Sequence, residues 1–315
     1  MLSENSESIE AMWQAIENND LKTIKKLLKE NPDLLHAEQP FGSWIQEAVR
    51  YENYELTEFF IKEGVDVNFV GGIPESNAIS DASEKGNLEI VKLLYDNGAK
   101  LETSNTLCNP LFAAIPDRHA DVALFLIEKG IDYRALYAVG SIENCDAMEF
   151  AREWGCIEVF DFLKKKYKQN PLVDKNIKPK DELLNILETA KKDNEISNAF
   201  HDLFITFPEL SYEEGLKILR NPDVKGWTKV GVFEYIYDEN FSEVIQAIME
   251  GGKLSAELLR FAISFMTKHY KAEDIRQMEN GNSFISFLED GYSALTAYSK
   301  KKYKSDYESF LNWKQ

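Results

Sequence analysis

The side chains that most often carry chemistry are sparse in this 315-residue chain and match no known catalytic spacing. The four histidines are His36, His119, His201 and His269, with no HExxH motif and no pair four residues apart that could hold zinc on a helix. GxSxG, P-loop and GxGxxG motifs are absent. The sequence therefore predicts no catalytic residues, no metal and no cofactor, and so no enzyme, although residues distant in sequence can still assemble a site.

The cysteines and the N-terminal residues indicate the compartment. Cys108, Cys145 and Cys156 form an odd, sparse set without CxxC, which argues against a disulfide framework and fits a reducing environment. The first ten residues, MLSENSESIE, lack the basic and apolar regions of a signal peptide. No apolar run reaches the roughly 18 residues that span a bilayer. We expect a cytoplasmic protein without a membrane partner, with export by a signal-independent route left open.

The charge of the chain is strongly negative and unevenly distributed. The net charge is −18, of which residues 1–170 carry −13 and residues 171–315 carry −5. Such a field repels nucleic acid and anionic lipid and attracts basic proteins, although it can also serve solubility alone. Lysines at 300–302 and 304 lie among aromatic residues, but we interpret this segment as a helix that packs its aromatic face, not as a nucleic-acid site.

Five segments of 23 residues align without gaps and begin at Glu10, Ser43, Asn77, Asn109 and Asp146. Their sixth position is always alanine, at spacings of 33, 34, 32 and 37 residues. The third position is always apolar, the eighteenth is leucine or phenylalanine in every copy, and the twenty-second is glycine in the three middle copies. A small alanine lets helices approach closely, larger apolar residues fill the layer between repeats, and glycine suits a left-handed helix end. The pattern predicts stacked helix-turn-helix repeats.

This repeat resembles the ankyrin repeat over about residues 8–170. The third copy reads GNLEIVKLL followed by Gly98-Ala99, and the fourth opens with NPLFAA from Asn109. The composition resembles that of bacterial ankyrin repeat proteins. The resemblance implies an all-α solenoid of about five repeats, with partners bound across the loops between repeats and the first helices.

The loops that should protrude as fingers are residues 36–43, 66–76, 100–108 and 132–145. For Phe41, Trp44 and Phe69, packing between fingers is the competing interpretation, because aromatic side chains bury large areas. The predicted protein-binding residues are Phe41, Trp44, Glu47, Tyr51, Phe69, Asp81, Glu84, Asn105, Asp117, Tyr133, Tyr137 and Glu153.

The second half leaves the repeat register. Residues 171–179, with two prolines, read as a linker, and residues 180–315 as an α-helical domain. Helices are predicted at 180–192, 195–206 and 212–220 capped by Ser211, and then at 240–250, 255–269, 283–289 and 291–313. Pro208 should end the second of these helices, and residues 227–237 are ambiguous between strand and helix, with helix favoured.

Two functions follow as hypotheses, and a purely structural scaffold with no dedicated class of partner is a third possibility. The first is a non-catalytic protein-binding module whose acidic repeat surface holds a basic protein partner, for example a toxin neutralised by an immunity or inhibitor protein. The second is an effector or enzyme whose helical half carries an activity while the repeats select the target. A deep polar pocket within residues 180–315 would favour the second hypothesis.

Overall fold

The computed structural model describes residues 2–37, 39–174, 176–252 and 254–315, with side chains from residue 7 onward. The chain divides into two compact units. The first, called the repeat unit below, comprises Met1–Val139 and Cys145–Leu163. The second, called the helical unit, comprises Gly140–Asn144 and Lys164–Gln315. The described residues are predominantly helical, with short strands only, so the all-α prediction is confirmed.

Each repeat contributes a first helix to one row and a second helix to another row. The first helices of successive repeats are α1 (Leu2–Glu17), α3 (Trp44–Arg50), α5 (Ala78–Glu84), α7 (Pro110–Ala114) and α9 (Ala147–Trp154). The second helices are α2 (Leu21–Glu30), α4 (Tyr54–Lys62), α6 (Leu88–Asp96), α8 (Ala120–Glu128) and α10 (Ile157–Gln169). A 3₁₀ helix spans Pro32–His36, and the strands are β1 (Val70–Gly71), β2 (Ser76–Asn77), β3 (Tyr137–Val139) and β4 (Ile142–Cys145). Neighbouring first helices contact each other, as do neighbouring second helices α4, α6 and α8.

The repeated apolar positions form the core of the stack. The five alanines at position six are at most 4 % exposed, and the apolar residues at position three at most 1 %. At position eighteen the side chains are fully buried from Phe60 onward, whereas Leu27 is half-buried. Each large side chain buried in this way stabilises the fold by roughly 1.5–3 kcal/mol. The stack is therefore held together by the positions that define the sequence repeat.

The helix ends follow the repeat as well. The side chains of Ser43, Asn77, Asn109 and Asp146, at position one, each accept a backbone N–H at the start of a first helix. Asp20, Asn53 and Asn87, at position eleven, cap second helices in the same way. Such caps satisfy donors that have no partner within the helix. After the second helices, Gly64, Gly98 and Gly130 have φ of 92°, 90° and 91°, which confirms the predicted left-handed ends.

In the helical unit, the short segment Gly140–Asn144 and the end of α10 are joined by ten further helices among the described residues. These are α11 (Lys180–Thr189), α12 (Asp193–Thr206), α13 (Pro208–Arg220), α14 (Gly226–Ile236), α15 (Phe241–Glu250), α16 (Ala256–His269), α17 (Ala272–Gln277), α18 (Gly281–Ser293), α19 (Ala297–Lys302) and α20 (Lys304–Trp313). Consecutive helices from α11 to α14 contact one another, and α16 packs against α14, α18 and α20. Phe233 lies at the centre of an aromatic cluster, with Phe261 and Phe265 at 5.4 and 5.0 Å between ring centroids.

Two predictions about these helices need correction. The second predicted helix does end before Pro208, at Thr206, but Pro208 is the first residue of α13, where the missing N–H costs nothing. Ser211 therefore lies inside α13 instead of capping it. The predicted helix at 291–313 is broken at residues 294–296 and again at Tyr303. The ambiguous segment 227–237 is helical, and its residues are buried on nearly every side, which explains why its periodicity was undecided.

Candidate protein-interaction surface

The front face of the repeat unit consists of helices α3, α5, α7 and α9, the turns that follow α3, α5 and α7, and the loops that precede these helices, up to Val139. All twelve predicted binding residues lie on it, but their exposure differs. The exposed ones are Phe41, Tyr51, Phe69, Glu84, Asn105, Asp117 and Glu153. The half-buried ones are Glu47, Tyr133 and Tyr137, and the buried ones are Trp44 and Asp81. The front face therefore exposes a subset of the predicted residues.

Trp44 is a core residue, so its prediction as a surface residue is wrong. The side chain is 1 % exposed, and its Nε1–H donates to the backbone oxygen of Leu34 at 2.7 Å. Trp44 is the first residue of α3, where its ring turns toward the 3₁₀ helix. Phe41, in contrast, has one ring neighbour, Trp13 at 5.7 Å, and stays 49 % exposed. The packing alternative thus holds for Trp44, while Phe41 remains available at the surface.

Two of the predicted acids share one arginine. Arg50 forms ion pairs with Glu47 of its own helix at 3.1 Å and with Asp81 of the next repeat at 3.2 Å. Asp81 also accepts a hydrogen bond from the Ser76 hydroxyl at 2.6 Å. Burial raises the pKa of Asp81, while the Ser76 hydrogen bond and Arg50 oppose that shift. Asp81 is therefore a structural link between two repeats, and its prediction as a contact residue is corrected.

The same link is reinforced by Gln46. Its side-chain amide donates to the Ser76 backbone oxygen at 3.2 Å, and its Oε1 accepts the Ser43 N–H at 2.9 Å in a capping box. Gln46 is fully buried. It ties the start of α3 to the finger that precedes α5, so this finger is positioned by the repeat before it.

A second arginine and an aromatic row occupy the end of the front face near α9. Arg152 pairs with Glu149 at 2.8 Å and also with the predicted contact residue Glu153. On α7 and α9, the ring of Phe112 stacks on that of Phe150 at a centroid distance of 4.4 Å. Trp154 follows at 5.9 Å from Phe150 and is 49 % exposed. The row ends in an exposed indole that the sequence-based selection omitted.

Tyr137 is fixed by hydrogen bonds at its hydroxyl. The hydroxyl donates to the Thr103 backbone oxygen at 2.7 Å and accepts from the Asn109 side chain at 3.0 Å. Its ring lies 4.8 Å from that of Phe112. Burial raises the pKa of this phenol. Tyr137 thus braces two neighbouring fingers and presents only part of its ring to a partner.

The fingers at 66–76 and 100–108 are joined by an asparagine and enclose a cavity of about 160 Å³. The side chain of Asn68 donates to the Gly98 oxygen at 3.0 Å and accepts the Lys100 N–H at 2.8 Å. Asn105 lines the cavity. Ile73 and Leu107 in these fingers are 79 % and 54 % exposed. Both are apolar residues within polar loops, a pattern that can indicate a binding surface but that the prediction did not use.

The geometry defines a class of protein: a solenoid of paired helices with an open front face. A family model described as ankyrin repeats (3 copies) matches residues 12–105 and residues 45–137. This part of the chain thus consists of ankyrin repeats, as the sequence predicted, and ankyrin repeats are protein-interaction units. Among the described residues, no helix is long and apolar enough to cross a bilayer.

Two curated relatives are similar to part of the chain. The probable 26S proteasome regulatory subunit p28 of Saccharomyces cerevisiae is 30 % identical over 131 residues, which cover 39 % of this chain and 57 % of that protein. The ankyrin repeat and KH domain-containing protein mask-1 of Caenorhabditis elegans is 27 % identical over 89 residues, which cover 28 % of this chain and 3 % of that protein. The chain therefore spans less than two thirds of either relative.

Proposed function

We propose that this protein is a non-catalytic binding protein of the cytoplasm that holds a basic protein on the front face of its repeat unit. The carrying observation is the combination of exposed aromatic rings and exposed acids on that face. Phe41, Tyr51 and Phe69 are 49 %, 46 % and 37 % exposed, and Glu84 and Asp117 on the same face are exposed as well. Exposed aromatic residues are typical anchors of protein interfaces.

The charge distribution supports a basic partner. The repeat unit has 29 acidic and 13 basic residues, a net charge of −16, and the helical unit has 25 and 23, a net charge of −2. The asymmetry is sharper than a division at residue 170 indicates, because Lys164, Lys165, Lys166 and Lys168 belong to the helical unit. A field concentrated on one unit steers a basic protein toward that unit and speeds association at low salt.

Not every acid of the front face is available to a partner. Glu47 and Asp81 are occupied by Arg50, and Glu153 by Arg152. Glu84 at the end of α5 and Asp117 in the turn after α7 are exposed, and we expect them to contribute to the salt dependence of binding. Neutralisation of a basic toxin is one form that this function can take. Binding within a larger assembly is another, since the relative p28 is described as a probable regulatory subunit of the 26S proteasome.

Site-specific photo-crosslinking tests the proposal. A photoreactive phenylalanine analogue replaces Phe69 or Tyr51 on the front face, and Lys62 or Lys92 on second helices as controls. Irradiation in cells should attach one protein with a pI above about 9 to the front-face variants alone, and irradiation in lysate should give less adduct at high salt than at low salt. Equal labelling of all four variants, or an acidic partner, would contradict it.

A further inference from the structure

The helical unit contains a cavity of about 460 Å³ that the protein-binding proposal does not use. It is lined by Ile186, Thr189, Ala190 and Lys191 at the end of α11, by one face of α12, and by Glu143 and Lys178. The α12 residues lie at the spacing of one helix face, and they are Asn194, Glu195, Asn198, Ala199 and Asp202. The volume lies in the range of small-molecule sites, which is about 300–1,000 Å³.

Asp202 is the buried charge of this cavity. Its side chain is 3 % exposed, and the Asn144 amide donates to its two carboxylate oxygens at 3.2 and 3.0 Å. A carboxylate offers about four acceptor sites, so one neutral amide leaves capacity for a further donor. The adjacent His201 directs its Nδ1 at the Tyr235 hydroxyl, 2.8 Å away. Burial raises the pKa of Asp202. The ionised form of this carboxyl group is therefore less favourable in the folded protein than in water.

The other walls of the cavity differ in chemistry. Ile186, Ala190 and Ala199 supply an apolar side. Lys178 is paired with Glu143 at 3.6 Å, so this rim pair is neutral. Lys191 is exposed and lines the same cavity. A buried negative group, an apolar wall and an exposed cation together are complementary to a molecule with an inner ammonium, a short aliphatic chain and an outer carboxylate.

We propose that this cavity binds a small zwitterion of amino-acid size, with its ammonium group on Asp202 and its carboxylate toward Lys191. The ammonium group supplies the donors that the Asp202 carboxylate lacks, and such charge-assisted hydrogen bonds are stronger than neutral ones. The apolar wall selects a short alkyl chain between the two charges. The inference is independent of partner binding by the repeat unit, which lies in the other compact unit.

Isothermal titration calorimetry of the full chain with three matched probes tests this assignment. The probes are 4-aminobutanoate, 1-aminobutane and butanoate, all used near pH 7. We expect 4-aminobutanoate to bind at about 1 mM or tighter, 1-aminobutane more weakly, and butanoate without measurable heat. Absence of heat with both amines at about ten times that concentration, or binding of butanoate, overturns the proposal.

Variants separate this site from nonspecific binding. Asp202→Asn should weaken 4-aminobutanoate by about tenfold or more, while the exposed Asp181→Asn on α11 leaves it unchanged. Lys191→Met should weaken 4-aminobutanoate but not 1-aminobutane. Ala190→Phe, beyond the last residue of α11, should fill the cavity and abolish binding with the unfolding temperature retained. Unchanged affinity in Asp202→Asn, or equal losses in Asp181→Asn, would refute the assignment.

Discussion

Replacing Arg50 with methionine should show how much stability the fold gains from the arginine that Glu47 and Asp81 share. The side chains of Glu47 and Asp81 are 12 % and 10 % exposed, whereas Arg50 is 30 % exposed. Removing one partner of a fully buried pair costs about 3–5 kcal/mol, and a surface pair is worth about 0.2–1 kcal/mol. Because Arg50 is partly solvated and Ser76 still donates to Asp81, we expect a loss of about 2 kcal/mol.

The loss should depend on pH with a definite sign. The pKa of Asp81 is raised by burial above its ordinary value of 3.8, and Arg50 limits that rise. Without Arg50 the folded-state pKa rises further, so the folded protein loses stability as pH increases from about 4 through that pKa. The cost of Arg50→Met should therefore be large near pH 7 and small below about pH 4.

Equilibrium urea unfolding, followed by circular dichroism and tryptophan fluorescence, measures both effects. Arg260→Met is the matched control, because Arg260 and Asp306 are also 3.2 Å apart but 53 % and 35 % exposed. Its cost should stay within about 1 kcal/mol at both pH values. The reasoning is refuted if the Arg50→Met cost is the same at both pH values, or if adding Asp81→Asn restores none of the stability.

Three further predictions concern backbone strain and the buried carboxylate. Gly86 and Gly98 both have positive φ, but a Cβ on Gly86 would lie 2.3 Å from His119 Nδ1, whereas one on Gly98 meets nothing within 4 Å. In urea unfolding, Gly98→Ala should therefore lower the free energy of unfolding by about 1 kcal/mol, and Gly86→Ala by about 1–3 kcal/mol more. Equal losses in the two variants would show that the contact with His119 has no effect. Glu52 has φ of 53°, so Glu52→Gly should stabilise by about 1 kcal/mol, and a thermal midpoint that falls would disprove it. Asp202→Asn should raise the unfolding free energy near pH 7, since its pKa is raised by burial, and the gain should fade below about pH 4; a pH-independent gain would refute that cause.

The repeat was predictable because the same physical demand recurs five times. Alanine at position six and apolar residues at position three appear as columns in the alignment, and the structure buries all of them. The shared backbone conformation at position ten was not predicted, because its residues differ in type from one repeat to the next. Asn19, Glu52, Gly86, Arg118 and Gly155 all adopt positive φ there, but only two are glycine, so residue type does not reveal the shared conformation.

The candidate site was less predictable because exposure depends on contacts between repeats. Trp44 and Asp81 occupy positions that the family resemblance assigns to the front face, yet Leu34, Arg50 and Ser76 draw them into the structure. These partners are 10, 31 and 5 residues away, and no periodicity connects them. The cavity beside Asp202 likewise joins residues from 143 to 202 that no motif relates.

The most direct test of the central claim is the affinity of the crosslinked partner for two charge-reversed variants. One variant carries Glu84→Lys and Asp117→Lys on the front face, and the other carries Asp96→Lys and Glu128→Lys on second helices. All four acids are exposed and lie near helix C-termini, so each substitution affects the helix dipole similarly. The front-face variant should bind about tenfold or more weakly at low salt, with the difference shrinking at high salt, and the second-helix variant should bind nearly as the unmodified protein does. Equal losses in both variants, or no loss in the first, would contradict binding of a basic protein at the front face.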